Sequence, residues 1–369
     1  MKLRGLVYIL NEDCNFHCGY CYKTLSKARF DWPLARRLLV FFMPFLARDF
    51  HLHFTGGEPL LSLALLRKIV ARAEVGGRQL GKKAHFSLTT NGSLAIPAVL
   101  RFLGRHRFTV TLSFDGTAQD VQRQPGTFRL VVSRLMGFRD EAGVRLRVNS
   151  VFSPETVHCL ADSVELLLNL DVPDFDLNLT ILRPWSPPSL RTLEQEMDRT
   201  VNLLLGHYRR TGRVALESFR GEGRPRMFVC AAGRDRLAFS PDGRIWGCHL
   251  FNDYFRGRGR AAACRLYGLG TLADFPEKPE AVRGLLSPRF EAWAMDRMST
   301  PRGVCFLCPE VDRCTVCPVN VGLAGWPLGR IPLYACRIRK IMMKAEDEFR
   351  RRARYGVRGR LRPPGKSRD

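Results

Sequence analysis

Between residues 3 and 182, short runs rich in aliphatic and aromatic residues alternate with longer stretches in which apolar residues recur every three or four positions. The first pattern has the period of strands and the second that of amphipathic helices. It predicts strands at Leu3 to Leu10, Phe50 to Thr55, His85 to Asn91, Phe108 to Phe114, Val144 to Phe152 and Phe175 to Leu182. Helices are expected near 31 to 47, 59 to 75, 95 to 105, 127 to 142, 155 to 169 and 189 to 211. Six strand-then-helix units in succession predict an α/β fold, a parallel sheet with helices outside it. Two helix starts carry their own signal: Asp31 precedes Trp32-Pro33 and Ser153 precedes Pro154-Glu155, each a polar cap followed by an early proline.

In such arrays the C-terminal ends of the strands face the ligand. Five polar motifs fall there in turn: Cys14 to Cys21, Gly56-Gly57-Glu58-Pro59, Thr90-Asn91-Gly92, Ser113-Phe114-Asp115-Gly116 and Asn149-Ser150. After about residue 212 the pattern changes. Cysteines and turns become frequent, and helix signals fade until 333 to 352. Ala238 to Cys248 reads as a β-hairpin turning at Pro241-Asp242-Gly243, and Ala335 to Arg354 as a closing helix. Three segments follow: 1 to 212, 213 to 349, and a basic tail over 350 to 369.

Composition narrows the function. The net charge of +24 could mark a nucleic-acid binder, but the last twenty residues hold nine Lys or Arg against Asp369 alone. That stretch has almost nothing to pack and reads as a solvated, disordered tail, so nucleic acid is not the expected partner. No signal peptide precedes the first strand, and the most apolar stretch, Leu38 to Ala47, is about half a membrane span. A cytoplasmic chain with no membrane association is expected. There, 12 Cys point to metal or catalysis rather than to disulfides.

Cys14-x3-Cys18-x2-Cys21 can supply three thiolates to a [4Fe-4S] cluster and leave the fourth iron open for another molecule. Zinc with a distant fourth ligand, or with His17, is the alternative on spacing alone. Cys14-Asn15-Phe16-His17-Cys18-Gly19-Tyr20-Cys21 resembles the signature of the radical SAM superfamily. The resemblance implies that S-adenosylmethionine chelates the open iron, is cleaved to a 5′-deoxyadenosyl radical, and that this radical abstracts a substrate hydrogen. It also assigns Tyr20 to the adenine, Gly56, Gly57, Glu58 and Pro59 to the methionine amino group, and Ser113, Asp115 and Asn149 to the ribose and methionine moieties. The implied architecture is a partial (β/α)6, TIM-like barrel.

Cys230-x12-Gly243-x4-Cys248, then Cys305-x2-Cys308-x5-Cys314-x2-Cys317 and Cys336, resembles the SPASM extension of radical SAM enzymes that modify peptides and proteins. That resemblance implies a small Cys-rich domain with two auxiliary iron-sulfur clusters. Cys305, Cys308, Cys314 and Cys336 would serve one; Cys230, Cys248 and Cys317 the other, with Cys264 or substrate at its fourth position. The family usually has three residues between the last two clustered cysteines, and here there are two, Thr315 and Val316. Cys159, in a predicted apolar helix, is read as structural.

Anaerobic sulfatase maturases, which resemble this layout, carry an acid directly after the second cysteine of the first auxiliary group; here it is His249, a possible base. Lys23 also stands where those maturases carry an aromatic. The expectation is therefore a peptide or protein maturase forming a crosslink or oxidising a side chain, rather than a formylglycine-forming enzyme. With no leader-binding module ahead of the first strand, a separate leader-binding protein or direct recognition of an acidic substrate is expected, with flavodoxin or ferredoxin as electron donor. Alternatives are a radical SAM enzyme of small-molecule or tetrapyrrole metabolism and a zinc-stabilised nucleic-acid-binding protein.

Overall fold

A computed structural model describes residues 2–220, 232–255, 268–275 and 298–353. Eight strands form one sheet in the order β6-β5-β4-β3-β2-β1-β7-β8. They are β1 (Leu3–Ile9), β2 (Leu46–Thr55), β3 (Lys83–Thr90), β4 (Thr109–Ser113), β5 (Arg145–Phe152), β6 (Phe175–Leu179), β7 (Arg236–Phe239) and β8 (Ile245–Trp246). All neighbours run parallel except β7 and β8, the expected hairpin. Helices α1 (Trp32–Phe42), α2 (Leu63–Gln79), α3 (Pro97–Arg105), α4 (Gln119–Gln122), α5 (Phe128–Asp140), α6 (Leu160–Asn169) and α7 (Pro187–Thr211) follow the first six strands.

The strands alternate in a way that fixes what each sheet face does. Phe239, Tyr8, Phe54, Leu88, Val110 and Leu146 stand side by side in register and are buried beneath the helices. One residue along, His53, Ser87, Thr109 and Arg145 form the matching row on the inner face. Parallel strands covered on both faces usually read as unbroken hydrophobic runs. Here the inner face is polar from β2 to β5, while at its other end Val7 and Ala238 of the same row pack with Trp246, Phe251, Tyr254 and Phe255 in a second, smaller core.

Local chemistry sets the boundaries. Asp31 caps α1 by accepting from the Leu34 N–H at 2.7 Å. The helix expected to 47 stops at Phe42, because Pro44 sits in a 3-10 turn over Met43–Phe45 and β2 begins at Leu46. Ser153 does not cap a helix; its N–H bonds the Thr156 hydroxyl, and α6 opens only at Leu160. Ser186 caps α7, and Gly212, with φ of 68°, ends it in the left-handed conformation.

Beyond Gly212 the sheet continues, since β7 pairs along β1 from Gly5 to Tyr8. Helices do not wait until 333: α8 (His249–Phe255) and α9 (Pro318–Leu323) precede α10 (Leu333–Arg352), while Ser299–Thr300 and Gly303–Val304 form a small hairpin. α10 lies against α7, with Phe349 5.4 Å from Phe219 and 6.2 Å from Tyr208 between ring centroids. The tail beyond 353 lies outside the described residues. Among those described, no helix is long and apolar enough to cross a membrane.

Candidate active site

The cysteine loop after β1 is held by contacts its spacing does not reveal. The Gly19 N–H donates to the Gln122 carbonyl at 2.8 Å, and the Tyr20 hydroxyl donates to Asp115 Oδ2 at 2.9 Å. Phe16 is buried, which turns the chain so that Cys14, Cys18 and Cys21 face one cavity. All three are free thiols. Burial raises the thiols of Cys14 and Cys18, the latter to about 11, against the lowering effect of Arg123 on Cys18.

The second motif packs directly on this loop. The Gly57 N–H donates to the Asn11 carbonyl at 3.1 Å, and the Glu58 N–H to the Asp13 carbonyl at 2.8 Å. A Cβ on Gly57 would lie 2.1 Å from the Asp13 oxygen, so glycine is needed here for loop-to-loop contact. The Glu58 carboxylate is buried behind the cavity wall. It accepts from Leu60 N–H at 3.0 Å, the Thr90 hydroxyl at 2.7 Å and the Asn91 N–H at 2.7 Å. Burial pushes its pKa up to about 7, against the lowering effect of those three hydrogen bonds. Gly56 and Gly57 line the cavity wall beside Thr90 and Asn91, and Pro59 is buried.

Asp115 is likewise a structural hub and not a cavity residue. It is fully buried and accepts from Tyr20, from Gln122 Nε2 at 2.9 Å, from the Val151 N–H at 2.8 Å and from Arg123 Nη2 at 2.8 Å. Arg123 also stands over the Tyr20 ring, 5.3 Å from its centroid. Ser113 and Asn149 do line the cavity, and Asn149 bonds Asn178 of β6.

The resulting cavity has a volume of about 480 Å³. Of the expected site residues it gathers Cys14, Cys18, Cys21, Tyr20, Gly56, Gly57, Ser113, Asn149 and His249; it excludes Glu58, Pro59 and Asp115. Thr90, Asn91, Lys23 and Arg123 join it, and among the described residues no carboxylate lines it. The His249 imidazole is pushed down to about 3 by burial and by Lys23 and Arg236, so it is neutral there. Its Nδ1 lies 3.8 Å from Cys248 Sγ. One turn further along α8, Asp253 forms a nearly buried ion pair with Lys23 at 3.0 Å.

A second cavity, of about 590 Å³, is lined by Cys305, Cys308, Cys314 and Cys336. Cys317 opens instead into a cleft of about 430 Å³ beside β6, with Asn320 and Arg339. Cys230 and Cys264 lie outside the described residues, and Cys159 lines neither cysteine cavity. A larger groove of about 840 Å³ between α7 and α10 is lined by charged and apolar side chains and no cysteine. Among the described residues no three His, Cys, Asp or Glu side chains already converge as metal ligands. The thiols share walls rather than a point. The donor set nevertheless fits an iron-sulfur group: three unpaired thiols face one cavity, one of them accepting N–H bonds from Phe16 and Asn91, and a fixed guanidinium stands nearby.

Residues 8–167 match the family model of the radical SAM superfamily. This segment belongs to the radical SAM superfamily of enzymes. A stretch of 169 residues is 32% identical to GTP 3′,8-cyclase of Mycobacterium ulcerans, covering 43% of this chain and 44% of that protein. GTP 3′,8-cyclase of Parasynechococcus marenigrum is 33% identical over 168 residues, covering 40% and 48%. The chain thus spans about half the length of the curated relatives it matches. Over the whole chain, the structure of anSMEcpe with bound AdoMet superposes with a TM-score of 0.76 at 16% identity, covering 97% of both chains. Streptococcus suis SuiB bound to S-adenosylmethionine gives 0.55 at 15% identity, over 87% of this chain and 74% of that one. These likenesses establish the fold: a radical SAM TIM-like α/β sheet with a Cys-rich C-terminal region.

Proposed function

We propose that the chain reductively cleaves S-adenosylmethionine and uses the radical to abstract hydrogen from a peptide or protein substrate, leading to a crosslink or an oxidised side chain. The observation that carries this reading is the convergence of the Cys14, Cys18 and Cys21 loop with four strand-end loops on one cavity. A [4Fe-4S] cluster with S-adenosylmethionine supplies the 5′-deoxyadenosyl radical when bound. Cys14, Cys18 and Cys21 would hold it; Gly56, Gly57, Ser113 and Asn149 would orient the methionine and ribose, and Tyr20 would flank the adenine. Cys305, Cys308, Cys314 and Cys336 would hold one auxiliary cluster, with Cys248, Cys317 and Cys230 at another.

Among the described residues no carboxylate lines the cavity, which weighs against formylglycine formation, a reaction that asks for a proton acceptor beside the substrate. The solved neighbours include anSMEcpe with AdoMet and the Cp18Cys peptide, and SuiB with the precursor peptide SuiA, which supports a peptide over a small molecule. A second reading takes its support from sequence: the curated relatives are GTP 3′,8-cyclases, so a nucleotide substrate is the rival.

The test is anaerobic isolation with iron and sulfide analysis, then addition of reductant and S-adenosylmethionine. 5′-Deoxyadenosine should form in the wild type and disappear in Cys14→Ala, Cys18→Ala and Cys21→Ala, while Cys305→Ala and Cys308→Ala retain uncoupled cleavage. An intact first cluster that forms no 5′-deoxyadenosine sinks the proposal. Consumption of GTP would replace the peptide reading with the nucleotide one.

A further inference from the structure

The three thiols of the cysteine loop do not have equal surroundings. Cys14 Sγ accepts from the Phe16 N–H at 3.5 Å and from Asn91 Nδ2 at 3.9 Å. Among the described residues, the sulfurs of Cys18 and Cys21 accept no such bond. The Asn91 amide cannot turn over to present its oxygen to the sulfur, because both ends are engaged. Its Oδ1 accepts from the Ser93 N–H at 2.9 Å and the Ser93 hydroxyl at 2.7 Å, while Nδ2 also donates to Asn15 Oδ1 at 3.0 Å. Asn15 Nδ2 closes the ring by donating to Ser93 Oγ at 2.8 Å. Asn91 is 7% exposed, so its dipole acts on the sulfur with little screening by water.

We propose that Asn91 is a positioning residue that sets the reduction potential of the cluster at Cys14, Cys18 and Cys21 through its N–H bond to Cys14. This rests on the reading that those cysteines hold a [4Fe-4S] cluster. A donor aimed at a ligand sulfur stabilises the more negative, reduced cluster and so raises its potential. The Phe16 donor is backbone and cannot be tuned by substitution. Asn91 supplies the adjustable share, and its own backbone N–H is independently fixed on Glu58 Oε2 at 2.7 Å, so changing the side chain leaves the strand end anchored.

The experiment is an EPR-monitored potentiometric titration of the anaerobically reconstituted holoenzyme. The relevant cluster is identified as the one whose spectrum changes on adding S-adenosylmethionine. Asn91→Leu, close in size and without a donor, should shift that midpoint downward, and Asn91→Asp, which aims a carboxylate at the sulfur, should shift it further. An unchanged midpoint in Asn91→Leu, with iron content and the S-adenosylmethionine response both retained, overturns the inference and leaves the parent reading standing. Should Asn91→Leu fail to fold or load, Ser93→Ala loosens the amide while keeping the donor. It should give a smaller downward shift, and no shift overturns the inference. A wild-type chain with no S-adenosylmethionine-responsive cluster overturns the parent reading itself.

Discussion

Replacing Gly57 by Ala tests the joint between the first two strand-end loops. The new Cβ would lie 2.1 Å from the Asp13 oxygen and 2.5 Å from its carbonyl carbon, against ordinary contact at 3.4–4 Å. Both obstacles are backbone, so no side chain can swing aside and the loops must part by more than an ångström. Such overpacking costs about 1–3 kcal/mol. The parting also stretches the Gly57-to-Asn11 and Glu58-to-Asp13 hydrogen bonds, each worth about 1 kcal/mol. The expected loss is about 3–5 kcal/mol. Gly81→Ala is the control: Gly81 has φ of +61° but nothing within 4 Å of the added carbon, so only the left-handed backbone cost of roughly 1–2 kcal/mol applies. Urea unfolding at unchanged slope measures both, and iron incorporated per chain reports whether the displaced Cys14 loop still binds. A Gly57→Ala chain as stable as Gly81→Ala and fully loaded with iron would refute the steric argument.

Other expectations are smaller in scope. The Glu58 carboxyl has its pKa raised from 4.5 to about 7, so the folded state holds its proton more tightly than the unfolded state does. Stability should therefore fall as pH rises between those two values, by up to about 3 kcal/mol, and Glu58→Gln should remove that slope. Equal slopes in wild type and variant would refute it. Asp115→Asn leaves the buried Arg123 charge without its partner and should cost about 3–5 kcal/mol, with Asp115→Asn/Arg123→Met regaining part of it. A double-mutant cycle with no coupling would show that the pair is not a unit.

The six strand-helix units were legible because each strand carries a helix-facing apolar row and each helix an apolar stripe. The same alternation held the clue to the polar interior: His53, Ser87 and Thr109 break what would otherwise be continuous apolar strands. The short helices α8 and α9 were not legible, since fewer than two turns give no period to read. Within the site, the motifs located the strand ends but not the direction of each side chain. Glu58 and Asp115 look like ligand contacts in sequence, yet the Glu58 oxygens accept from nearby Leu60 and from Thr90 and Asn91 at the end of β3, and those of Asp115 from Arg123 and Val151. Arg123 carried no local signal at all. Its importance comes from standing over the Tyr20 ring and sharing Asp115 with it, which only the folded chain brings about.

The pairing of β7 with β1 reaches past connectivity into how this protein can be divided. Remove everything after Gly212 and β1 becomes an outer strand, with the Gly5–Tyr8 stretch stripped of its neighbour and its backbone donors and acceptors left open. That strand is apolar, flat against the core, and carries the cysteine loop at its end. It would be a ready template for another chain. The barrel half is thus no freestanding module to be trimmed out or grafted, and fragments ending near Gly212 should self-associate more readily than the whole chain.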